Sequence, residues 1–285
     1  MTGTGLSMSR GRFRGLSPAG FHRVAYVAWG HASNRPPVIC VHGLTRNGRD
    51  FDRLASALAG DRLVICPDIV GRGESDWLRN PAGYGIAQYC ADMAALIARL
   101  GVDEVDWVGT SMGGIIGMWL AAQPDTPIRR LVLNDVGRLI PAQALDRLAG
   151  YVGKDPVFAD LAGVEAYYRE VMAPFGALDD EAWRHIARFG HRRRPDGRLG
   201  LAYDPAIAAS LGPAPRTNID LGALWEAIAC PVLLLRGAES DLLLPETARA
   251  MADKAELVEF PGVGHAPSLM VPDQIEAVRG WLARP

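Results

Sequence analysis

Short apolar segments alternate with longer amphipathic segments along most of the chain. The apolar segments are rich in Val, Ile and Leu, which is typical of buried strands. We predict strands over Arg23–Trp29, Val38–Val41, Leu63–Cys66, Val105–Val108, Leu131–Leu133, Val232–Leu235 and Leu257–Phe260. Apolar residues at three- and four-residue spacing predict helices over Arg49–Ala59, Ile86–Leu100, Met112–Ala122, Glu246–Asp253 and Gln274–Leu282. The alternation indicates an α/β fold with a mostly parallel, doubly wound sheet.

This alternation stops after Asp135 and resumes at Cys230. Residues 138–222 carry helical patches and loop-like stretches without a convincing strand pattern. Open α/β sheets bind ligands at the carboxyl ends of their strands, so an insertion at this point would cover a ligand site. We therefore interpret residues 138–222 as a helical lid and residues 21–137 and 223–285 as the core. Residues 1–20 are predicted to be a flexible segment.

The composition is that of a globular enzyme. Apolar residues make up 49% and charged residues 22% of the chain, and the net charge is -2. This balance gives no general attraction to nucleic acid or to an anionic membrane. Neither a signal peptide nor a membrane span is predicted, and the four cysteines show no metal-binding spacing. We expect a cytoplasmic protein with reduced thiols, no bound metal and a small-molecule substrate.

A G-x-S-x-G pattern, Gly109 to Gly113, lies between a predicted strand and a predicted helix. A nucleophile on a sharp strand-to-helix turn brings its neighbours close to adjacent backbone, so small residues are needed two positions on either side. Ser111 is therefore the candidate nucleophile. The backbone N–H of Met112, at the helix start, is a candidate donor to a developing oxyanion. The second donor is expected to be the N–H of Leu44, in the turn after the strand Val38–Val41.

A serine hydroxyl also needs a base, and the base needs a carboxylate that orients it. His265, flanked by a glycine-rich loop after the last predicted strand, is the candidate base. His42 could also be catalytic, but we interpret it as a residue that braces its loop. Two carboxylates follow strands and could reach His265. We predict Asp241, on the turn after a strand, and keep Asp135 as the alternative acid, whose other interpretation is a contact to the start of the lid.

Together these motifs resemble the α/β-hydrolase superfamily. The HG turn, the PDIVGRGESD segment, the GTSMGG elbow, the GAESD turn and the GVGHAP loop occur in the family's order. The resemblance implies the α/β-hydrolase fold with a helical lid between core strands six and seven, a Ser–His–Asp triad, an oxyanion hole and no cofactor. Serine at the nucleophile position argues against the branches that use aspartate there. The PDIVGRGESD segment is interpreted as structural, with Arg72 paired to a nearby carboxylate.

We expect a serine hydrolase that cleaves a small carboxylic ester or lactone through an acyl-enzyme. A hydrolase of carbon–carbon or amide bonds in a catabolic pathway is the alternative, and a ligand receptor on the same scaffold is an alternative of another class. Cationic or aromatic lid residues could bind a substrate carboxylate, although we prefer a solvated turn as the interpretation of the arginines. These candidates for substrate binding are Trp183, Arg188, Arg192 and Tyr203.

Overall fold

An eight-stranded sheet forms the centre of the protein. The computed structural model describes residues 8–214 and 216–284. The strands of the sheet are β1 (Met8–Ser17), β2 (Gly20–Trp29), β3 (Val38–Val41), β4 (Val64–Pro67), β5 (Val105–Thr110), β6 (Ile128–Asn134), β7 (Val232–Gly237) and β8 (Ala255–Phe260). Their spatial order is β1-β2-β4-β3-β5-β6-β7-β8. Only the β1–β2 and β2–β4 pairs are antiparallel, so the mostly parallel sheet predicted from the sequence is confirmed.

Helices cover both faces of this sheet. The α-helices of the described chain are α1 (Asp52–Leu58), α2 (Ile86–Leu100), α3 (Met112–Ala121), α4 (Ala142–Ala149), α5 (Leu161–Val171), α6 (Asp180–Phe189), α7 (Gly222–Ala227), α8 (Pro245–Met251) and α9 (Pro272–Leu282). Short 3₁₀ helices lie at Gly48–Phe51, Pro81–Gly83, Ala173–Phe175 and Pro205–Leu211. Residues from α1 and α9 pack on one face, and residues from α2 and α3 pack on the other.

The buried strands explain why both faces need helices. In β3, Ile39 and Val41 contribute to the larger apolar cluster, whereas Val38 and Cys40 contribute to the smaller one on the opposite face. Successive strand residues point to opposite faces, so a strand that is apolar throughout must be covered on both. None of the four cysteines forms a disulfide.

The N-terminal part of the chain differs from its prediction. Residues 8–17 form β1, which pairs along its whole length with β2. The prediction of a flexible segment is therefore wrong for these residues, and residues 1–7 lie outside the described part. The strand has one exposed face that carries arginines and one face that is partly buried from Phe13 onward, which is the alternation expected of an edge strand.

The insertion, residues 138–222, connects the sixth and seventh strands of the sheet. It contains α4, α5 and α6 and two small ribbons, Leu139–Ile140 with Ile219–Asp220 and His191–Arg193 with Leu199–Leu201. Backbone hydrogen bonds join it to the loop after β4, from Gly73 N to Ala202 O at 2.8 Å and from Asp204 N to Gly71 O at 2.8 Å. In the described residues, no helix is both long enough and apolar enough to cross a bilayer.

Candidate active site

Ser111 lies on a sharp turn between β5 and α3. Its backbone has φ 52° and ψ −114°, a left-handed conformation that L-residues rarely adopt. A Cβ atom on Gly109 would lie 2.3 Å from the carbonyl oxygen of Gly113, and one on Gly113 would lie 2.0 Å from that of Val41. The close backbone approach therefore excludes any side chain at both positions. This agrees with the expectation that a sharp turn at the nucleophile needs small residues two positions on either side of it.

A chain of hydrogen bonds connects three side chains at the carboxyl ends of the strands. Nε2 of His265 lies 3.0 Å from Oγ of Ser111, and Nδ1 of His265 lies 2.6 Å from Oδ2 of Asp135. Asp135 is fully buried, and the side chain of His265 is 9% exposed. This arrangement can transfer a proton from the serine hydroxyl to the imidazole while the carboxylate holds the ring.

Asp241 does not contact His265, so the prediction that it is the acid partner is wrong. Its carboxylate is half-exposed and accepts a bidentate pair of hydrogen bonds from Arg147. The register of the sheet gives the physical reason. Thr110 of β5 pairs with Asn134 of β6, so the next residues along each strand, Ser111 and Asp135, leave the sheet side by side. Asp241 lies farther from its strand, beyond the turn that follows β7.

The last residue of β7 and the turn after it instead supply hydrogen bonds to the Asp135 carboxylate. The N–H of Gly237 donates to Oδ1 at 2.9 Å, and the hydroxyl of Ser240 donates to Oδ2 at 2.6 Å. Two donors in addition to His265 thus stabilise a carboxylate that has no contact with water. Ser240 is a residue that the sequence reasoning missed, although it lies beside Asp241 in the GAESD turn.

The two residues predicted to supply oxyanion donors, Leu44 and Met112, lie near Ser111. Met112 is the first residue of α3, so its N–H has no acceptor within the helix. Leu44 follows Gly43, where a Cβ atom would lie 3.8 Å from Cβ of Ser111. Both residues line a cavity that Ser111 also lines. The two backbone segments that carry the candidate N–H donors thus lie near the serine, as the binding of a tetrahedral oxyanion would require.

His42 connects the loop of Leu44 to the loop after β4. Its Nε2 accepts a hydrogen bond from the N–H of Ile69 at 2.9 Å, so Nδ1 carries the proton and donates to the carbonyl of Gly43 at 2.7 Å. Burial lowers the pKa of His42 to about 3. A neutral imidazole with both nitrogens in use holds the loop, as the bracing interpretation expects.

Arg72 is completely buried and contacts both candidate oxyanion residues. Its Nε donates to the carbonyl of Leu44 at 2.8 Å, and its Nη2 lies 3.5 Å from Sδ of Met112. Its Nη1 donates to Val70 O and to the hydroxyl of Tyr89. The predicted carboxylate partner is wrong, since the described hydrogen-bond partners are carbonyl, hydroxyl and thioether groups. This guanidinium therefore fixes the two segments that carry the candidate oxyanion donors relative to each other.

Two cavities meet at Ser111, and both are lined by residues of the insertion. The first, here called the histidine-side cavity, has a volume of about 70 Å³ and is lined by His265 and by charged side chains. The second, here called the apolar cavity, has a volume of about 200 Å³. Leu44, Ser111 and Leu148 line both cavities.

Of the four predicted substrate-binding residues, only Tyr203 lines a cavity at Ser111. Trp183 is buried against its neighbours, with the Arg169 guanidinium over its ring. Arg188 is exposed beside Phe189, and Arg192 pairs with Asp155. The structure thus contradicts a substrate contact for Trp183, Arg188 and Arg192. The arginines that do line the histidine-side cavity are Arg46 and Arg147, which the sequence reasoning did not consider.

Comparisons with known proteins agree with this architecture. The sequence model of the alpha/beta hydrolase fold family matches residues 36–269. The chain is 47% identical over 271 residues to a 3-hydroxybutyrate-oligomer hydrolase of Cupriavidus necator, covering 91% of this chain and 92% of that protein. It is 30% identical to a 2-(acetamidomethylene)succinate hydrolase of Mesorhizobium japonicum, covering 81% of each.

A solved structure shows the same fold over almost the whole chain. It is an alpha/beta hydrolase from Novosphingobium aromaticivorans, with 37% identity and a TM-score of 0.88, covering 98% of this chain and 99% of that one. The chain therefore belongs to the α/β-hydrolase fold family, and its relatives support a hydrolase activity.

Proposed function

We propose that this protein is a serine hydrolase that cleaves carboxylic esters of small hydroxy acids through an acyl-enzyme. The hydrogen-bonded series of Ser111, His265 and Asp135 is the observation that carries this proposal. A serine that lies 3.0 Å from an imidazole, which is itself bound to a buried carboxylate, is arranged for nucleophilic attack on a carbonyl carbon.

In the proposed reaction each group has one role. Oγ of Ser111 attacks the ester carbonyl while Nε2 of His265 accepts its proton. The N–H groups of Leu44 and Met112 bind the resulting oxyanion. His265 then returns the proton to the oxygen of the leaving alcohol, and the acyl group stays on the serine. In the second half of the reaction, His265 activates a water molecule that releases the acid.

Asp135 orients the base. Its Oδ2 accepts the Nδ1 proton of His265, which leaves Nε2 free to accept the proton of Ser111. The negative charge also stabilises the imidazolium that forms during each transfer. The insertion would act as a lid, since it supplies part of the wall of both cavities at Ser111 and would help to exclude water from the reacting groups.

The substrate class rests on the relatives and on the size of the cavities. The 47% identical relative is named for hydrolysis of 3-hydroxybutyrate oligomers, which are esters of a short hydroxy acid. An apolar cavity of about 200 Å³ is large enough for a short acyl group, since an apolar cavity of about 150 Å³ accommodates benzene. Both relatives named above act, by their names, on compounds with free carboxylates.

The experiment that tests this proposal uses the dimer and trimer of 3-hydroxybutyrate. We expect the purified protein to release 3-hydroxybutyrate over many turnovers, measured by liquid chromatography, and the Ser111→Ala variant to be inactive. The amide analogue of the dimer serves as a comparison and should react far more slowly. Faster cleavage of the amide would favour an amidase, and activity retained by Ser111→Ala would contradict the serine mechanism. A single slow turnover would favour a ligand receptor.

A further inference from the structure

The two cavities at Ser111 differ in charge. Among the described residues that line the apolar cavity, none is charged, and most are Leu, Ile, Val or Met. The histidine-side cavity is lined by Arg46, Arg147 and Asp50. An ester that binds across Ser111 therefore meets an uncharged environment on one side and charged side chains, two of them arginines, on the other.

The position of His265 determines which half of the ester lies in which cavity. His265 lines the histidine-side cavity and does not line the apolar one. The imidazole must protonate the oxygen of the leaving alcohol, so this oxygen has to lie next to Nε2. The alcohol half of the substrate then extends into the histidine-side cavity, and the acyl half extends past Met112 into the apolar cavity.

Arg46 is the more buried of the two cations. Its side chain is 7% exposed, and its Nε and Nη2 both donate to the carboxylate of Asp50. Its Nη1 is buried and has no hydrogen-bond acceptor among the described residues. The guanidinium carbon lies 4.7 Å from the centre of the Tyr168 ring, which fixes the plane of the group. A buried N–H donor without an acceptor is costly unless a ligand supplies one.

Arg147 adds a second positive group to the same wall. Its Nε and Nη2 pair with Asp241, whose side chain is half-exposed and is not among the residues that line the cavity. The residues that line the cavity thus include two arginines and one aspartate. An anionic group in this cavity would therefore meet two positively charged lining residues and one negatively charged lining residue.

We propose that the enzyme selects esters whose alcohol half carries a carboxylate, and that Nη1 of Arg46 donates to this carboxylate. The inference rests on the proposed serine esterase function and deepens it. Hydrolysis breaks the bond between the carbonyl carbon and the alcohol oxygen, and water supplies the hydroxyl of the acid and the proton of the alcohol. For an oligomer of a hydroxy acid, the released alcohol is the unit at the carboxyl end. The enzyme therefore removes one hydroxy acid at a time from that end.

Two isomeric esters test the orientation in the wild-type enzyme. 3-Acetoxypropanoate carries its carboxylate on the alcohol half, and monomethyl succinate carries it on the acyl half at the same distance from the ester group. Propyl acetate, which lacks the carboxylate, is the neutral reference. We expect kcat/KM for 3-acetoxypropanoate to exceed that for monomethyl succinate by about 10- to 100-fold, the effect of one hydrogen bond to a charged group.

Variants of Arg46 then test whether this residue causes the preference for a carboxylate on the alcohol half. Arg46→Lys keeps a cation for Asp50 but removes Nη1, so the ratio of kcat/KM for 3-acetoxypropanoate to that for propyl acetate should fall by about tenfold or more. Arg188→Lys makes the same change on the exposed surface and should leave the ratio unchanged. If Arg46→Lys does not fold, the double variant Arg46→Gln/Asp50→Asn removes both charges of the pair and provides the same test.

Each outcome separates this inference from the proposed function. Equal rates for the two isomers, or faster cleavage of monomethyl succinate, would overturn the orientation while leaving a serine esterase in place. A ratio unchanged by the Arg46 variants, or lowered only by Arg147→Lys, would overturn the assignment to Arg46. Failure to hydrolyse the isomers, propyl acetate and the 3-hydroxybutyrate dimer would contradict the proposed function itself and this inference with it.

Discussion

The carboxylate of Asp135 and the imidazole of His265 are joined by a hydrogen bond of 2.6 Å, although 130 residues separate them in the chain. Asp135 lies directly after β6, and His265 lies in the loop after β8. The carboxylate has no exposure to water, and its second oxygen is bound by the N–H of Gly237. This pair determines which nitrogen of His265 faces Ser111, and the proposed chemistry depends on it.

Replacing Asp135 should therefore affect catalysis much more than replacing Asp241. We expect Asp135→Asn to lower kcat by about 10⁴-fold, because the amide favours the wrong imidazole tautomer. Asp241→Asn, which removes only a half-exposed ion pair with Arg147, should retain nearly full kcat. Steady-state rates on the 3-hydroxybutyrate dimer, with circular dichroism as a check of folding, measure both. The reverse pattern would reinstate Asp241 as the acid.

The sequence predicts most of the sheet and the elbow because these features depend on local patterns. The apolar segments of β3 and β5 and the helix over Ile86–Leu100 are fixed by composition and spacing, and the structure has them where predicted. Gly109 and Gly113 identify the turn of Ser111, because only glycine permits the close backbone approach. Such signals need no knowledge of distant contacts.

The carboxylate that pairs with His265 could not be predicted from such local patterns. Asp135 and Asp241 both follow strands, and the choice between them depends on the pairing of Thr110 with Asn134, which is a relationship between strands. β1 was missed because arginines and glycines obscure the alternation of an edge strand. Arg46 was missed because its significance lies in burial and in an unused N–H group, and neither is visible in a sequence.

A methyl group on the second elbow glycine should disrupt the site. In Gly113→Ala the new Cβ would lie 2.0 Å from the carbonyl oxygen of Val41, so β3 and α3 would have to separate. We expect a loss of several kcal/mol in the free energy of unfolding, as for other overpacked positions, or failure to fold. Gly60→Ala is a matched control, because nothing lies within 4 Å of the position that its new methyl group would take. Equal urea midpoints for the two variants would contradict the close approach.

Arg72 is expected to act as a positioning residue for the oxyanion donors. Arg72→Lys removes the Nε bond to the carbonyl of Leu44, so the Leu44 segment is no longer fixed relative to Met112. We expect kcat to fall by up to about 10²- to 10³-fold, the cost of losing one oxyanion donor, with little change in KM. The rate of inactivation by an organophosphonate, whose tetrahedral adduct uses the same donors, should fall in parallel. A change in the free energy of unfolding alone, with kcat retained, would indicate a purely structural role.

His42 should make the protein less stable in acid. Burial lowers its pKa in the folded protein from 6.5 to about 3, so the folded state binds this proton less readily than the unfolded state. The stabilising contribution is complete above about pH 6.5 and is lost as the pH falls towards 3. Between pH 6.5 and 5 the loss is about 2 kcal/mol, at about 1.4 kcal/mol per pH unit.

Urea unfolding of the wild type and of His42→Asn at pH 7 and pH 5 measures this contribution. Asp68 acts in the opposite direction, because burial raises its pKa from 3.8 to about 6 and its protonation favours the folded state over that range. Since Asp68 is present in both proteins, the difference between them isolates His42. The advantage of the wild type should shrink by about 2 kcal/mol at pH 5. An advantage that stays constant would contradict a neutral, buried His42.

Covalent labelling tests most directly whether Ser111 carries the acyl group during turnover, on which the proposed chemistry rests. The wild-type enzyme is incubated with an organophosphonate, digested, and mapped by mass spectrometry, with Ser111→Ala treated in parallel. We predict one added inhibitor mass on the peptide that contains Ser111, loss of activity in proportion to labelling, and no label or esterase activity in Ser111→Ala. Labelling at another residue, with Ser111→Ala still fully active, would contradict the assignment of Ser111 as the nucleophile.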